Sequence, residues 1–387
     1  MAKNKKRSTR LMHAGRKPED YFGVVNPPIC RTSTILYEDL AAYIDPNTKY
    51  RYGRVNNPLS QGFEEAAAEL EGGYHAITAP SGLSAITTTL MAFLEAGDHL
   101  LIVDSCYPPT RFFANKNLRS FGVEVEYYDP LIGADIADLI RENTKAIYLE
   151  SPGSATFEVQ DVPAIVNVAK EHGVLTIMDN TYSAGVLFRP IEHGVNISVQ
   201  SAAKYMGGHS DVNLGVAVTD TEDHYRTLKS CAVNLGICAG AEDLYLAMRG
   251  LRTIEMRMDH AQKNMLPVLK WFQGRDEVQC IYCPVLPENG GHDIWARDYS
   301  GANGLLSVLF KPDYDFDSVA KFIDALELFP VGSSWGGYES LIQPQNMDLY
   351  RSHWEEEGVF LRFQIGNEDP DDLIADLEQG ISFLKKS

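Results

Sequence analysis

AIYLESPGSATFEVQDVPAIVNVAKEHGVLTIMDN, residues 146–180, holds a strand, a helix and a second strand in that order. Ala146–Leu149 and Val174–Met178 are short continuous apolar runs, and Pro163–Glu171 between them has helical periodicity. Continuous rather than alternating apolar runs belong to strands covered on both faces. Two of them joined by a helix make a βαβ unit with parallel strands. Outward from this unit the pattern repeats. His99–Val103 and Ile197–Val199 are further buried-strand candidates. Leu59, Phe63, Ala66, Ala67 and Leu70 form a helical stripe stopped by Gly72-Gly73, and Ser84–Leu94 reads as a helix ending near Gly97. The expected class is α/β, with a mostly parallel sheet over residues 56–250.

Beyond residue 250 the texture changes. Leu251–Trp271 reads as one long helix with charged faces. Strand candidates follow at Leu305–Phe310 and Val359–Ile365, with helices near Asp317–Leu326 and Asp371–Leu384. Residues 251–387 are therefore expected to form a smaller α+β domain. Residues 1–55 carry little periodicity, with prolines at 18, 27, 28 and 46, and read as an extended arm that packs on a partner subunit.

Composition narrows the function. The chain has 387 residues, 44% hydrophobic and 22% charged, as expected of a packed protein. Thirty-four basic against 53 acidic residues give a net charge of −19. A surface that acidic repels phosphate backbones and anionic lipid, so neither nucleic acid nor a membrane is an expected partner. No run approaches the roughly 18 uncharged apolar residues of a spanning helix. The opening MAKNKKRSTRLMHAGRKPED is basic without an apolar core, unlike a secretory signal. Six cysteines at 30, 106, 231, 238, 280 and 283 are too few for a disulfide scaffold and read as reduced thiols of a cytoplasmic protein. Cys280-Ile-Tyr-Cys283 lacks a second ligand pair, and His75, His99 and His292 show no ligand spacing, so no metal site is expected. His209 reads as a loop-positioning residue, and Glu242-Asp243 and Glu355–Glu357 as solvated charge.

The polar residues just past the apolar runs carry the chemistry. Asp104-Ser105, Glu150-Ser151, Asp179-Asn180 and Ser201 with Lys204 all fall at carboxyl ends of predicted strands, where open α/β sheets bind ligands. Lys204 follows an apolar strand and precedes a Gly-rich turn. Partly removed from water, it would lose proton affinity and could form a Schiff base with a cofactor aldehyde. Taken alone it is an ordinary surface charge. Asp179 could hold a pyridoxal ring nitrogen protonated, so that the ring accepts electrons released at a substrate Cα. Its bland reading is a helix cap. Pro80-Ser81-Gly82-Leu83-Ser84 opens a helix whose free N–H groups attract phosphate, which is also common capping grammar. Tyr107 could stack on a cofactor ring or simply fill the core.

Together these parts resemble the cysteine/methionine-metabolism family of pyridoxal-phosphate (PLP) enzymes, over nearly the full chain. YGRVNNP (52–58), PSGLSAI (80–86), GDHLL (97–101), YPPT (107–110), ESPGSATFEV (150–159), DNTYSAGV (179–186), the lysine segment 201–211, GLRT (250–253), SWGGYESL (334–341) and LRFQIGNED (361–369) occur in the family's order. ESPGS, SWGGYESL and IGNEDPDDLIADL resemble its bacterial cystathionine β-lyase branch most.

The resemblance implies a fold-type-I, aspartate-aminotransferase-like architecture with a seven-stranded sheet. It implies that Lys204 binds PLP and moves the Cα proton, that Asp179 pairs with the pyridine nitrogen, and that Tyr107 stacks on the ring and joins the proton traffic. Gly82, Leu83 and Ser201 would contact the phosphate, and Tyr52 and Arg54 would reach it from a neighbouring subunit in a dimer of dimers. Arg362 would clamp the carboxylate of a small amino-acid substrate, with Ser334 and Trp335 lining that pocket.

Two departures stand out. Ala203 replaces the threonine that many relatives carry before the lysine. That removes one hydroxyl contact to the phosphate, worth about 1.5–3 kcal/mol, while Ser201 remains. Ser154 stands where the wider family often has asparagine. The implied reaction is β-elimination of L-cystathionine to homocysteine, pyruvate and ammonia. L-Cysteine desulfhydrase activity and slow alanine racemisation are side reactions of the same carbanion. The rivals are γ-lyase, γ-synthase and methionine γ-lyase chemistry, which need a second deprotonation at Cβ. γ-Lyase relatives carry Glu where this chain has Ser333. A cofactor-binding regulator without catalysis would be expected to lose Lys204, Asp179 or Arg362, and all three are present.

Overall fold

A computed structural model describes residues 4–386. Seven strands form the larger sheet: β1 (His75–Ala79), β2 (His99–Val103), β3 (Glu124–Tyr128), β4 (Thr144–Glu150), β5 (Leu175–Asp179), β6 (Ile197–Ser201) and β7 (Gly215–Thr219). Their order is β1-β7-β6-β5-β4-β2-β3. β2, β3, β4, β5 and β6 run parallel, and β7 is antiparallel to both its neighbours. The sheet is thus mostly parallel, as expected for its apolar strands. The chain steps from β2 outward to β3 and then back to β4 on the other side of β2. That reversal opens a crevice at the carboxyl ends of β2 and β4, where Asp104 and Glu150 lie.

Helices cover both faces of this sheet because every strand residue from Leu100 to Val103 and from Ala146 to Leu149 is apolar and fully buried. Burial at roughly 25 cal/mol per Å² of apolar surface drives that coverage. Helix Gly82–Phe93 packs on β6 and β7, and Ser81 caps its start by accepting the Ser84 N–H at 3.1 Å. Its first turn thereby points at the strand-end crevice.

A second sheet, β8 (Val278–Tyr282), β9 (Leu305–Phe310), β10 (Leu341–Pro344) and β11 (Phe360–Gln364), is antiparallel in the order β10-β11-β9-β8. Met265, Phe272, Phe310, Phe322 and Phe363 form its separate core. We propose residues 56–250 and 251–387 as the two domains. Helix Ile254–Gln273 is the joint: Ile254 and Met258 belong to the larger core, Met265 and Phe272 to the smaller.

Two expectations need correcting. The helix read over Leu251–Trp271 is broken. Leu251 ends helix Ala241–Leu251, and a new helix starts at Ile254. The Gly250 carbonyl accepts from the Thr253 N–H at 3.1 Å and from the Arg257 guanidinium at 2.8 Å, partners that replace the one a continuing helix would have supplied. The arm is not extended throughout either. Arg7–His13 is a helix docked on its own chain, with Leu11 fully buried, Arg7 paired to Glu255 at 2.8 Å and Arg10 to Glu69 at 2.7 Å. Residues 1–3 of the expected arm lie outside the described residues. Further along, Phe22, Val24, Leu36, Leu40 and Ile44 are exposed in the single chain. Among the described residues no helix is long and apolar enough to cross a membrane.

Candidate active site

A cleft of about 230 Å³ opens at the strand ends, between the two sheets. Lys204, Asp179, Tyr107, Gly82, Leu83, Ser201, Trp335 and Arg362 all line it. Ser334 reaches it through Lys204, whose Nζ donates to Ser334 Oγ at 2.7 Å and lies 5.6 Å from the Trp335 ring centre. Residues 130 positions apart in the sequence therefore meet around one amine. Gly336, with φ +78, makes this meeting close: a Cβ there would sit 2.9 Å from the Tyr205 nitrogen and 3.1 Å from the Lys204 carbonyl carbon. The turn presses its Ser334-Trp335 pair against the lysine.

Burial lowers the Lys204 amine to about 8, helped by the positive charge of Arg362 and opposed by Asp179. Near pH 8 about half of this lysine is the free base, far more than for an ordinary lysine. Asp179 ends β5 nearly buried. Thr181 donates to its Oδ1 twice, from the backbone at 2.9 Å and the hydroxyl at 2.5 Å. The Ser201 N–H in turn donates to Thr181 Oγ1 at 2.9 Å, which ties the ends of β5 and β6 together. Burial raises the Asp179 carboxyl, while the Thr181 donors and the Lys204 charge oppose the rise.

Arg362 sits on β11 directly opposite Gln343 on β10. One guanidinium nitrogen, Nη2, donates to Gln343 Oε1 at 2.5 Å and to the Ser334 carbonyl at 3.3 Å. Gln343 thus aims the fork into the cleft. Tyr107 begins the short helix Pro108–Phe113, and its N–H donates to Glu150 Oε2 at 2.7 Å.

The sequence of the chain matches the Cys/Met metabolism PLP-dependent enzyme family over residues 8–382. The chain belongs to that family. It is therefore a PLP-dependent enzyme. A Rhizobium johnstonii protein provisionally described as a cystathionine β-lyase is 44% identical over 379 residues, spanning 97% of this chain and 96% of that one. The cystathionine β-lyase MetC of Escherichia coli is 38% identical over 391 residues, spanning 98% and 99%. The crystal structure of cystathionine γ-lyase from Lactobacillus plantarum, complexed with L-serine, superposes with a TM-score of 0.92 at 28% identity, covering 99% and 100% of the two chains.

The residues present fit PLP. The N–H groups of Gly82 and Leu83 open a helix and have no intrahelical acceptors. A Cβ at Gly82 would fill the cradle, 2.6 Å from the Ser201 Cβ. A phosphate fits such a helix start. The free-base lysine suits an aldehyde, and the carboxylate of Asp179 suits a pyridine nitrogen.

Tyr52 and Arg54 are not in this cleft. Arg54 donates to the Val233 carbonyl at 2.8 Å and lines a different hollow, while Tyr52 is 44% exposed. Within one chain they do not approach Lys204. Ala203 lines the cleft without a hydroxyl; Ser154 also lines it, with its hydroxyl Oγ 2.6 Å from Glu150 Oε1. Sequence reasoning passed over Tyr350 and Gln343. Tyr350 lies in a stretch without periodicity, between β10 and β11, and reaches the cleft because Arg111 holds its carbonyl at 3.2 Å. Gln343 becomes visible only once β10 and β11 are paired.

Among the described residues no group of three His, Cys, Asp or Glu side chains is placed to hold a metal ion. Cys280 and Cys283 are free thiols.

Proposed function

We propose that this enzyme is a cystathionine β-lyase, cleaving L-cystathionine with water to homocysteine, pyruvate and ammonia. The observation that carries the reading is the amine of Lys204, unprotonated above about pH 8 and held at 2.7 Å by the uncharged Ser334, under Trp335 and beside Arg362.

PLP would be held by Lys204, by Asp179, by the first-turn N–H groups of Gly82 and Leu83, by Ser201 and by the ring of Tyr107. When bound, it supplies a ring that stores the charge released at the substrate Cα. The chain's own residues do the rest. Arg362 receives the substrate α-carboxylate on the edge of its guanidinium that Gln343 leaves free, a charge-assisted and planar contact. Lys204 would take the Cα proton as a neutral amine and, as an ammonium, give it to the departing thiolate. Ser334 orients that amine as a hydrogen-bond acceptor. One proton removal at Cα is enough to expel a β-thiolate.

Asp179→Asn is expected to lower kcat/KM roughly 10²- to 10³-fold, the usual scale for losing one preorganised electrostatic partner. Asparagine can still accept from Thr181 through its remaining oxygen, so the melting temperature should stay within a few degrees. A variant with full activity would remove Asp179 from the site.

Tyr52 and Arg54 support an assembly in which each cleft is completed by a second copy. Tyr52 is exposed together with the apolar side chains of Phe22, Leu36 and Leu40. The substrate class is a small amino acid, and the assembly a homodimer or a pair of them.

The second reading is γ-elimination, favoured by the likeness to the Lactobacillus γ-lyase. Ser333 argues against it, since its hydroxyl faces Gln343 Nε2 at 3.4 Å and offers no carboxylate. Incubation with L-cystathionine separates the two. Pyruvate with homocysteine supports β-elimination, and 2-oxobutyrate with cysteine overturns it.

A further inference from the structure

Glu150 ends β4 in register with Asp179 on the adjacent parallel strand β5. Side chains in register on parallel neighbours share a face, so two carboxyl groups sit side by side at the bottom of the cleft. Glu150 is 8% exposed and lines the cleft. Two donors engage the Asp179 carboxylate, and Lys204 adds a favourable charge. Glu150 is different. Among the described residues it makes no ion pair, and the titratable groups facing it are Asp179, Cys106, Tyr107, Tyr148 and Tyr350, none of them a cation. The two cations of the cleft are turned elsewhere, Lys204 to Ser334 and Arg362 to Gln343. Two buried carboxyl groups this close do not both ionise.

We propose that Glu150 is a positioning residue held as the neutral carboxylic acid, with its proton on Oε1 donated to Ser154 Oγ and its Oε2 accepting the Tyr107 N–H. The negative charge of the pair then rests on Asp179 alone. A serine hydroxyl has one hydrogen and two acceptor sites. With a lone pair taken by the Glu150 O–H, Ser154 turns its own hydrogen into the cleft and becomes a donor to an oxygen of the bound ligand. Its place in the cleft wall allows this. Burial and the Asp179 charge push the Glu150 carboxyl up and outweigh the opposing pull of the Ser154 hydroxyl and the Tyr107 N–H. The inference rests on the reading of Asp179 as the ionised partner of the cofactor.

Infrared spectroscopy of the holoenzyme at pH 8 tests it without turnover. The wild type should show a protonated-carboxyl carbonyl band that Glu150→Gln lacks, and Ser154→Ala should move that band to higher frequency by removing its acceptor. Because glutamine is also neutral, the pH midpoint of the cofactor's visible band should agree between wild type and Glu150→Gln to within about 0.3 unit. No band difference between wild type and Glu150→Gln, a band unmoved in Ser154→Ala, or a midpoint shift of a full unit would each overturn the proposal. If the assigned reaction is wrong but this protonation state is right, the band persists while the cystathionine products change.

Discussion

Replacing Lys204 by alanine is expected to lower turnover of L-cystathionine by at least about 10³-fold. Positioned proton transfer alone contributes roughly 10²–10⁴-fold, and the lysine is also the group proposed to hold PLP covalently. Borohydride should trap a pyridoxyl adduct on Lys204 in the wild type and none in the variant. The fold should survive, because the substitution gives up the Lys204 hydrogen bond to Ser334 at the open cleft and leaves the strands untouched. A second consequence follows from the amine's lowered proton affinity. Only the neutral amine attacks an aldehyde, and burial brings the amine to about 8. Cofactor-stripped protein should therefore take up PLP about tenfold faster per pH unit up to pH 8 and level off above it. An ordinary lysine would keep accelerating to about 10.4. A flat rate from pH 6 to 10, or an alanine variant that turns over like the parent, would remove Lys204 from the chemistry.

Arg362→Ala is the second large effect. A buried, hydrogen-bonded charge that loses its partner typically costs about 2–5 kcal/mol, or roughly 30- to 5,000-fold in kcat/KM at 1.36 kcal/mol per tenfold. The carboxylate is bound equally before and during the reaction, so the loss should fall mainly on KM. Arg362→Lys should recover only part of it, because a lysine cannot reach Gln343, the Ser334 carbonyl and a carboxylate in one plane. Burial already lowers the proton affinity of the Arg362 guanidinium, and a bound carboxylate would offset that cost. An unchanged KM in Arg362→Ala would place the carboxylate elsewhere. A loss confined to kcat would point instead to a disturbed Ser334–Lys204 contact.

The large-sheet strands that sequence reasoning found share one property. His99–Val103, Ala146–Leu149, Val174–Met178 and Ile197–Val199 lie in the interior of the large sheet, apart from its edge strands, and their buried apolar runs say so directly. β1 and β3 were missed because they are the edges of that sheet, where Glu124 and Glu126 on β3 dilute the apolar signal. β7 and β10 were missed as well, being short runs that begin with glycine or end with proline. At the helix break at Arg252–Thr253 the Gly250 carbonyl accepts from Thr253 and from Arg257 in the following helix, contacts that the apolar periodicity does not reveal.

The site divides the same way. Position at a strand end singles out Lys204, Asp179 and Tyr107 as candidates, each with an ordinary reading when taken alone, because side-chain chemistry and the 2.0 and 3.6 periodicities are local properties of the chain. Family resemblance extends this to Arg362 and Ser334. What only the tertiary structure decides is contact and charge state: Ser334 on the lysine, Gln343 on the arginine, the Tyr107 N–H on Glu150, and Glu150 beside Asp179. These pairings come from strand order and register, which fix who is near whom, and from burial, which fixes who carries a proton. Neither quantity is a property of any short stretch of residues.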